Sequence, residues 1–245
     1  MDILYWTGLN PDIEILETTK MMHGHYLYRL NLRANGSSIL RHNDDIAEAV
    51  ENRNKNSRAY NWAGSWRRSK IETADIAVLD CIKKNLHYNE PGPRVIDNDQ
   101  IKIRIEDPYL QFYATSEEPL INLANKLLLG DNNHFVSVMM PASDEHEKLL
   151  SDGFVLRKTK VKWSHRIVLR DGRYSLETKQ KIQNYLTSLG DEIKAPENFW
   201  TQLNKGGYIF GGYIYVNDPG LALMLNLING KLVSKVEEFK MVPRT

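Results

Sequence analysis

The sequence predicts an α+β protein made of two similar halves. Three observations predict it. Apolar residues alternate with polar ones over several strand-length stretches and recur at helical spacing over others, so strands and helices are interleaved. At 245 residues the chain can bury a sizeable core, as one large or two small domains. One phrase occurs twice, about a hundred residues apart: FYATSEEPLINLANKL from Phe112 and IYVNDPGLALMLNLI from Ile214. Each is an apolar strand, a short polar break and an apolar helix.

The elements follow in order. MHGHYLYRLNL, Met22 to Leu32, alternates Tyr26, Tyr28 and Leu30 against His25, Leu27 and Arg29, which predicts a strand. Asn43 and Asp44 can cap a short helix that carries Ile46 and Val50 on one side. Residues 53–70, RNKNSRAYNWAGSWRRSK, have no useful period and read as a long loop. Thr73 caps a helix lined by Ile76, Leu79, Ile82 and Leu86. NEPGPR is a turn, and QIKIRIEDPYLQFYAT is strand material broken at Asp107-Pro108. In the first repeated phrase Ser116 is the cap. Glu117 and Glu118 suit the positive end of the helix dipole, and Leu120, Leu123, Ala124 and Leu127 form the buried stripe.

HFVSVMMP returns as a strand, and a short helix runs from Ser143 to a stop at Gly153. FVLRKTKVKWSHRIVLR is one long strand or two. SLETKQKIQNYLTSLG is a helix capped by Ser175 and ended by Gly190, with Ile182, Tyr185, Leu186 and Leu189 on one face. DEIKAP is a short strand, ENFWTQLNK a helical turn and GGYIFGGYIYVN a strand. In the second repeated phrase Asp218 caps a helix that starts with Pro219 and buries Leu221, Met224, Leu225 and Ile228. KLVSKVEEFKMV closes the chain as an alternating strand. Residues 1–153 and 154–245 then each read β-α-β-β-α-β, with an extra helical piece before the third strand. That is the order of tandem ferredoxin-like or RRM-like halves: antiparallel sheets with helices on one face. The first half meets this order only if its second strand lies around Trp62 to Lys70.

Composition excludes more than it identifies. Net charge is +1, so any nucleic-acid preference must come from local patches. The single cysteine, Cys81, rules out an intrachain disulfide and fits a reducing compartment. The N-terminal MDILYWTGLNPDIEILE lacks the basic start and apolar run of a signal peptide, and no apolar stretch approaches the roughly 20 residues that span a bilayer. A soluble cytoplasmic protein with no membrane partner is expected.

The loop at 53–70 is the strongest functional signal. Arg53, Lys55, Arg58, Arg67, Arg68 and Lys70 are interleaved with Tyr60, Trp62 and Trp66, and no acid is among them. Cations bind phosphates, and aromatic faces stack single-stranded bases at about 1–3 kcal/mol each. The plainer reading is a solvated loop whose tryptophans plug the core. A second basic stretch, Arg157 to Arg173, puts Lys160, Lys162, Ser164 and Arg166 on one face of a strand, beside Trp163 and His165. The plainer reading there is an edge strand whose lysines discourage aggregation. GGYIYVND resembles the central strand of RNA-recognition motifs over about eight residues. Gly212, Tyr213 and Tyr215 hold the glycine and aromatic places; the leading basic residue is missing, and Ile214 replaces the small residue.

Enzyme signatures fail on spacing. His146 in HEKLL lacks the second histidine of a zinc-protease helix. GYIFGGYIY is too compact for a GIY-YIG nuclease, PDIE at Pro11 lacks the Glu-x-Lys of restriction-type nucleases, and no phosphate-loop or dinucleotide fingerprint occurs. His23 and His25 of HGH, or His165, are the candidates for acid–base work; no third metal ligand accompanies HGH, and no cofactor is expected. LRDGRYSLETKQKIQNYLTSLGDEI with IYVNDPGLALMLNLI resembles hypothetical proteins of large tailed phages over the last eighty or so residues. That resemblance implies a phage-encoded protein in host cytoplasm and carries no activity or site residue. The expected function is non-catalytic binding of single-stranded nucleic acid, RNA first. The alternatives are a metal-independent RNA endonuclease on the same fold and a phage assembly or host-interaction module with a protein partner.

Overall fold

The computed structural model describes residues 2–41, 45–56, 71–85, 95–96, 101–129 and 132–243. The architecture is α+β, in two units spanning residues 1–147 and 148–245. Unit 1 runs through α1 (Ile3–Leu9), β1 (Glu14–Glu17), β2 (Tyr28–Arg33), a 3-10 turn (Ser37–Arg41), α2 (Ile46–Asn56), α3 (Thr73–Asn85), β3 (Val95–Ile96), β4 (Ile101–Glu106), β5 (Tyr109–Ala114), α4 (Glu118–Lys126) and β6 (Phe135–Met140). The division of the chain falls within α5 (Asp144–Ser151).

The strands of unit 1 lie in the order β1-β6-β2-β5-β4-β3. β1 is parallel to β6, and every other neighbouring pair is antiparallel. Leu30 stands opposite Phe112 and Val138, and Phe112 opposite Ile103. Because side chains alternate, that register gathers Leu30, Leu32, Ile101, Ile103, Ile105, Leu110, Phe112 and Val138 on one face, and all are buried. Val78, Leu79 and Ile82 of α3 and Leu120, Leu123 and Ala124 of α4 are buried as well, at helical spacing. Burying each of these valine, leucine, isoleucine and phenylalanine side chains contributes about 1.5–3 kcal/mol.

Unit 2 comprises β7 (Val155–Arg157), β8 (His165–Leu169), β9 (Gly172–Arg173), α6 (Leu176–Ser188), a 3-10 turn, β10 (Ile193–Lys194), α7 (Glu197–Asn204), β11 (Tyr208–Ile209), β12 (Tyr213–Val216), α8 (Leu221–Ile228) and β13 (Val233–Met241). Its main sheet has the order β7-β13-β8-β12-β10, while β9 and β11 form a separate two-stranded ribbon. β7 is parallel to β13, and the rest of the main sheet is antiparallel. Ile167, Leu169, Ile193, Ile214 and Val216 meet Ile182 and Leu186 of α6, Phe199 and Leu203 of α7, and Ala222 and Leu225 of α8 in one core. In both sheets an outer strand runs parallel to its neighbour. The last, first, third and second strands of a β-α-β-β-α-β series follow: β6, β2, β5, β4 in unit 1 and β13, β8, β12, β10 in unit 2.

Ser175 caps α6 by accepting from the Thr178 amide, as its spacing predicts. Other details differ from the sequence expectations. β2 starts at Tyr28 rather than Met22, because Met22 and Tyr26 close a tight turn with His23 and Gly24 in left-handed conformations at φ 51° and 74°. Residues 101–114 fold back at Asp107-Pro108 into a hairpin, so β4 holds the second-strand place expected of Trp62–Lys70. Those residues from 62 to 70 lie outside the described ones. Glu117, not Ser116, precedes α4, and its carboxylate accepts from the Trp6 indole at 2.9 Å and the Asp2 amide at 3.0 Å.

The stretch from Phe154 to Arg170 is two strands joined by residues 158–164, so the expected row of Lys160, Lys162, Ser164 and Arg166 on one strand face does not form. GGYIFGGYIYVN is likewise two strands. Gly211 turns at φ 62°, and a Cβ on Gly212 would sit 2.9 Å from the Phe199 ring, so the chain bends there to pass α7. α8 begins at Leu221 rather than Pro219. Met224, expected to be buried, is exposed with Leu223 and Leu227, because Ala222 and Leu225 are the buried residues of α8 and Leu221 and Ile228 pack partly buried beside them. α1 and β1 were not foreseen; neither contains enough turns to show a period.

Candidate nucleic-acid interface

Of the binding loop expected at 53–70, residues 53–56 belong instead to α2, and Arg58, Tyr60, Trp62, Trp66, Arg67 and Arg68 all lie outside the described residues. Arg53 ends α2 in an ion pair with Asp107 at 2.8 Å and a hydrogen bond to the Ser38 hydroxyl at 3.0 Å. In the second basic stretch, Lys160 and Lys162 are exposed on the connection between β7 and β8. Trp163 on the same connection is buried, with the Lys162 ammonium 4.7 Å from its ring centroid.

The third group of expected residues comes together on unit 2's sheet. On β12, Ile214 and Val216 point into the helix-packed core, so Tyr213 and Tyr215 project from the other face. Tyr215 stands opposite Arg166 on β8 and Lys194 on β10; Arg166 in turn stands opposite Glu237 on β13. Tyr213 and Tyr215 meet edge to face with centroids 5.3 Å apart, and Tyr215 lies 6.0 Å from Phe239. Cations cover both ends of this aromatic row. The Arg166 guanidinium sits 5.4 Å from the Tyr213 centroid, and that of Arg157 on β7 sits 4.7 Å from the Phe239 centroid. Among the described residues of unit 2, the helices of the core lie on the opposite side.

One acid sits inside the cationic face. Glu237 is nearly sealed, its side chain 7% exposed. It accepts from Arg166 Nε at 2.6 Å and also pairs with Arg166 Nη2 and, at 2.6 Å, with Lys235. Burial pushes its carboxyl upward. Hydrogen bonds and charge from Lys235 and Arg166 outweigh that and hold it below the usual carboxylate range. Glu237 therefore stays ionised at neutral pH and absorbs charge that Arg166 and Lys235 would otherwise present.

Unit 1 has a polar face of its own. The face opposite the Leu30–Phe112 core carries Arg29, Asn31, Lys102, Arg104, Gln111 and Tyr113. The His23 ring packs edge-on against Tyr113 at 4.6 Å. Burial lowers the His23 pKa, and nearby Lys102 and Arg104 lower it further, so the ring is neutral near pH 7. His25 lies in the same turn, with its ring against Tyr26 at 5.2 Å. His165 Nδ1 is 2.8 Å from the Ser164 hydroxyl, on the helix-facing side of β8. Among the described residues no group of three or more His, Cys, Asp or Glu is placed to hold a metal ion.

Sequence reasoning named Tyr213, Tyr215 and Arg166 but missed Phe239, Glu237 and the unit 1 face. The alternation IKIRIE on β4 already puts Lys102 and Arg104 opposite Ile101, Ile103 and Ile105, so that signal was available. Phe239 had none, because its neighbours on the face come from β7, β8 and β12. No protein-family model, curated protein or solved structure matches the chain. No helix among the described residues is long and apolar enough to cross a membrane.

Proposed function

We propose that this protein binds single-stranded nucleic acid, RNA first, without cleaving it, and that each unit is a ferredoxin-like sandwich extended by one parallel edge strand, with the short antiparallel β3 added at the other edge of unit 1. The strand orders support the second part, since both sheets repeat the last-first-third-second order of that fold. The pair Tyr213 and Tyr215, with Arg166 beside it, carries the first; Phe239 is buried and backs Tyr215 from within the sheet. Sheet-borne aromatics stack bases without regard to sequence, while flanking cations follow the phosphates. GYIYV on the third strand of its series is also where the central motif of an RNA-recognition domain would place its aromatics.

The test is fluorescence anisotropy with a labelled 12-nucleotide RNA, the matching DNA and a duplex control, with the RNA recovered afterwards on a denaturing gel. Single strands should bind ahead of duplex. Tyr213→Ala and Tyr215→Ala should each weaken binding by about 1–3 kcal/mol with an unchanged salt slope. The reading fails if no single strand binds at low salt, or if both tyrosine variants bind like the parent. RNA cut in excess chelator, with the cleavage lost in His23→Ala, His25→Ala or His165→Ala, would replace it with the endonuclease alternative.

A further inference from the structure

Unit 2's sheet carries a row of three residues across its strands: Arg166 on β8, Tyr215 on β12 and Lys194 on β10, each directly opposite the next. Unit 1's sheet carries the same row. Arg29 on β2 stands opposite Tyr113 on β5, and Tyr113 stands opposite Lys102 on β4. The strands correspond as well, since β2, β5 and β4 are the first, third and second of their series, as β8, β12 and β10 are of theirs. Tyr113 and Tyr215 are the second residues of the two repeated phrases. In each unit the row lies on the face away from the core, because Phe112 and Ile214, the residues just before the tyrosines, are fully buried on the other face.

The two rows differ in three places. Glu237 stands opposite Arg166 and neutralises it, whereas Met139 stands opposite Arg29. Tyr113 is only 4% exposed, with the His23 ring packed against it. Gln111 holds the place two residues earlier that Tyr213 holds in unit 2. Unit 1 thus offers the cations of the row without an open tyrosine and without the acid. Among the described residues neither Arg29 nor Lys102 pairs with an acid; Glu106 on β4 pairs with Arg104. Arg29 Nε, shielded from water, has no acceptor. The neighbours register the charge. Burial, then Lys102 and Arg104, lower the His23 pKa; burial pushes the Tyr113 hydroxyl up while Arg29 and Arg104 pull against it. Uncompensated cations beside the amides of Asn31 and Gln111 suit an oxyanion.

We infer that Arg29 and Lys102 form a second site for single-stranded nucleic acid, one that holds phosphates and stacks no base on its tyrosine. This rests on the nucleic-acid reading above and divides the work: unit 2 supplies aromatic faces, and unit 1 supplies free charge.

The test uses the full-length chain and the labelled 12-nucleotide RNA, titrated between about 50 and 200 mM salt. Lys102→Gln should lower the magnitude of the salt slope by about 0.7. Met139→Glu puts opposite Arg29 the acid that unit 2 has opposite Arg166, and should lower the slope by about the same amount. Met139→Gln, similar in shape and uncharged, should keep the parent's slope. Circular dichroism shows whether each variant is folded; if Met139→Glu is not, Lys102→Gln decides, since Lys102 is half-buried at the surface. If either folded variant keeps the parent's slope while Tyr213→Ala and Tyr215→Ala are weakened, this inference is overturned and the unit 2 reading stands. If Lys102→Gln and Met139→Glu lower the slope while the tyrosine variants bind like the parent, the unit 1 site stands and the stacking reading falls. A parent that binds no single strand overturns both.

Discussion

Glu237→Gln should make the protein a more salt-sensitive and tighter nucleic-acid binder at low ionic strength. The carboxylate engages Arg166 and, at 2.6 Å, Lys235. The amide keeps the shape and an acceptor oxygen but removes the charge. Each cation released to meet a phosphate adds about 0.7 to the magnitude of the salt slope, so freeing both adds about 1.4. The substitution also costs stability. A sealed ion pair broken on one side loses about 3–5 kcal/mol; here Lys235 is half exposed and the amide still accepts, so about 1–2 is expected. The assay is the parent and variant affinity for one RNA between about 50 and 200 mM salt, with circular dichroism to show that both are folded. Acid should do to the parent what the substitution does. Because the folded pKa of Glu237 lies below its unfolded value, its stabilisation is present above the unfolded value and is lost as pH falls through the folded one. Over that window the parent's slope should rise toward the variant's, while the variant's own slope does not follow Glu237. A folded variant with the parent's slope would mean that Arg166 and Lys235 never meet phosphate, and the proposed face would be wrong.

Lys179→Met should destabilise unit 2 by about 1–3 kcal/mol in denaturant titration, because it leaves the Gln202 and Lys205 carbonyls without their donor. Burial lowers the Lys179 pKa from 10.5, so the parent should gain stability as pH rises from the folded value toward 10.5, a gain that Lys179→Met should lack; equal pH profiles would refute it. Gly212→Ala should cost about 1–3 kcal/mol, read as a lower unfolding midpoint, since its methyl would meet the Phe199 ring at 2.9 Å; an unchanged midpoint would show that α7 can yield.

Much of this fold was legible in the chain because much of it is local. Alternation along 101–105, the Ser175 cap and the stripe of Leu120, Leu123, Ala124 and Leu127 depend on neighbours within a few residues, and the structure carries them as expected. The repeated phrase also lies where its pattern puts it, on β5–α4 and β12–α8. Composition in turn set a firm limit, since a single cysteine allows no intrachain disulfide.

Tertiary structure decided what each side chain does once it is placed. Lys179 lies three residues before Ile182 and seven before Leu186, on the buried stripe of α6, and its charge is accommodated there because the end of α7 arrives with carbonyl groups to satisfy. Met224 belongs to an apolar run and stays in water, because α8 can present only one side to the sheet. Lys160 and Lys162 alternate like strand residues, but the pairing of β7 with β13 ends at Arg157, and without a partner strand the alternation has no sheet to act on. Arg166 and Glu237 are 71 positions apart, and Phe239 reaches Tyr215 only because β8 lies between their strands. Periodicity reports which side of an element meets the core. Which charges cancel and which aromatic rings line up across strands depends on register between distant segments, and that is set by the packing of the whole sheet.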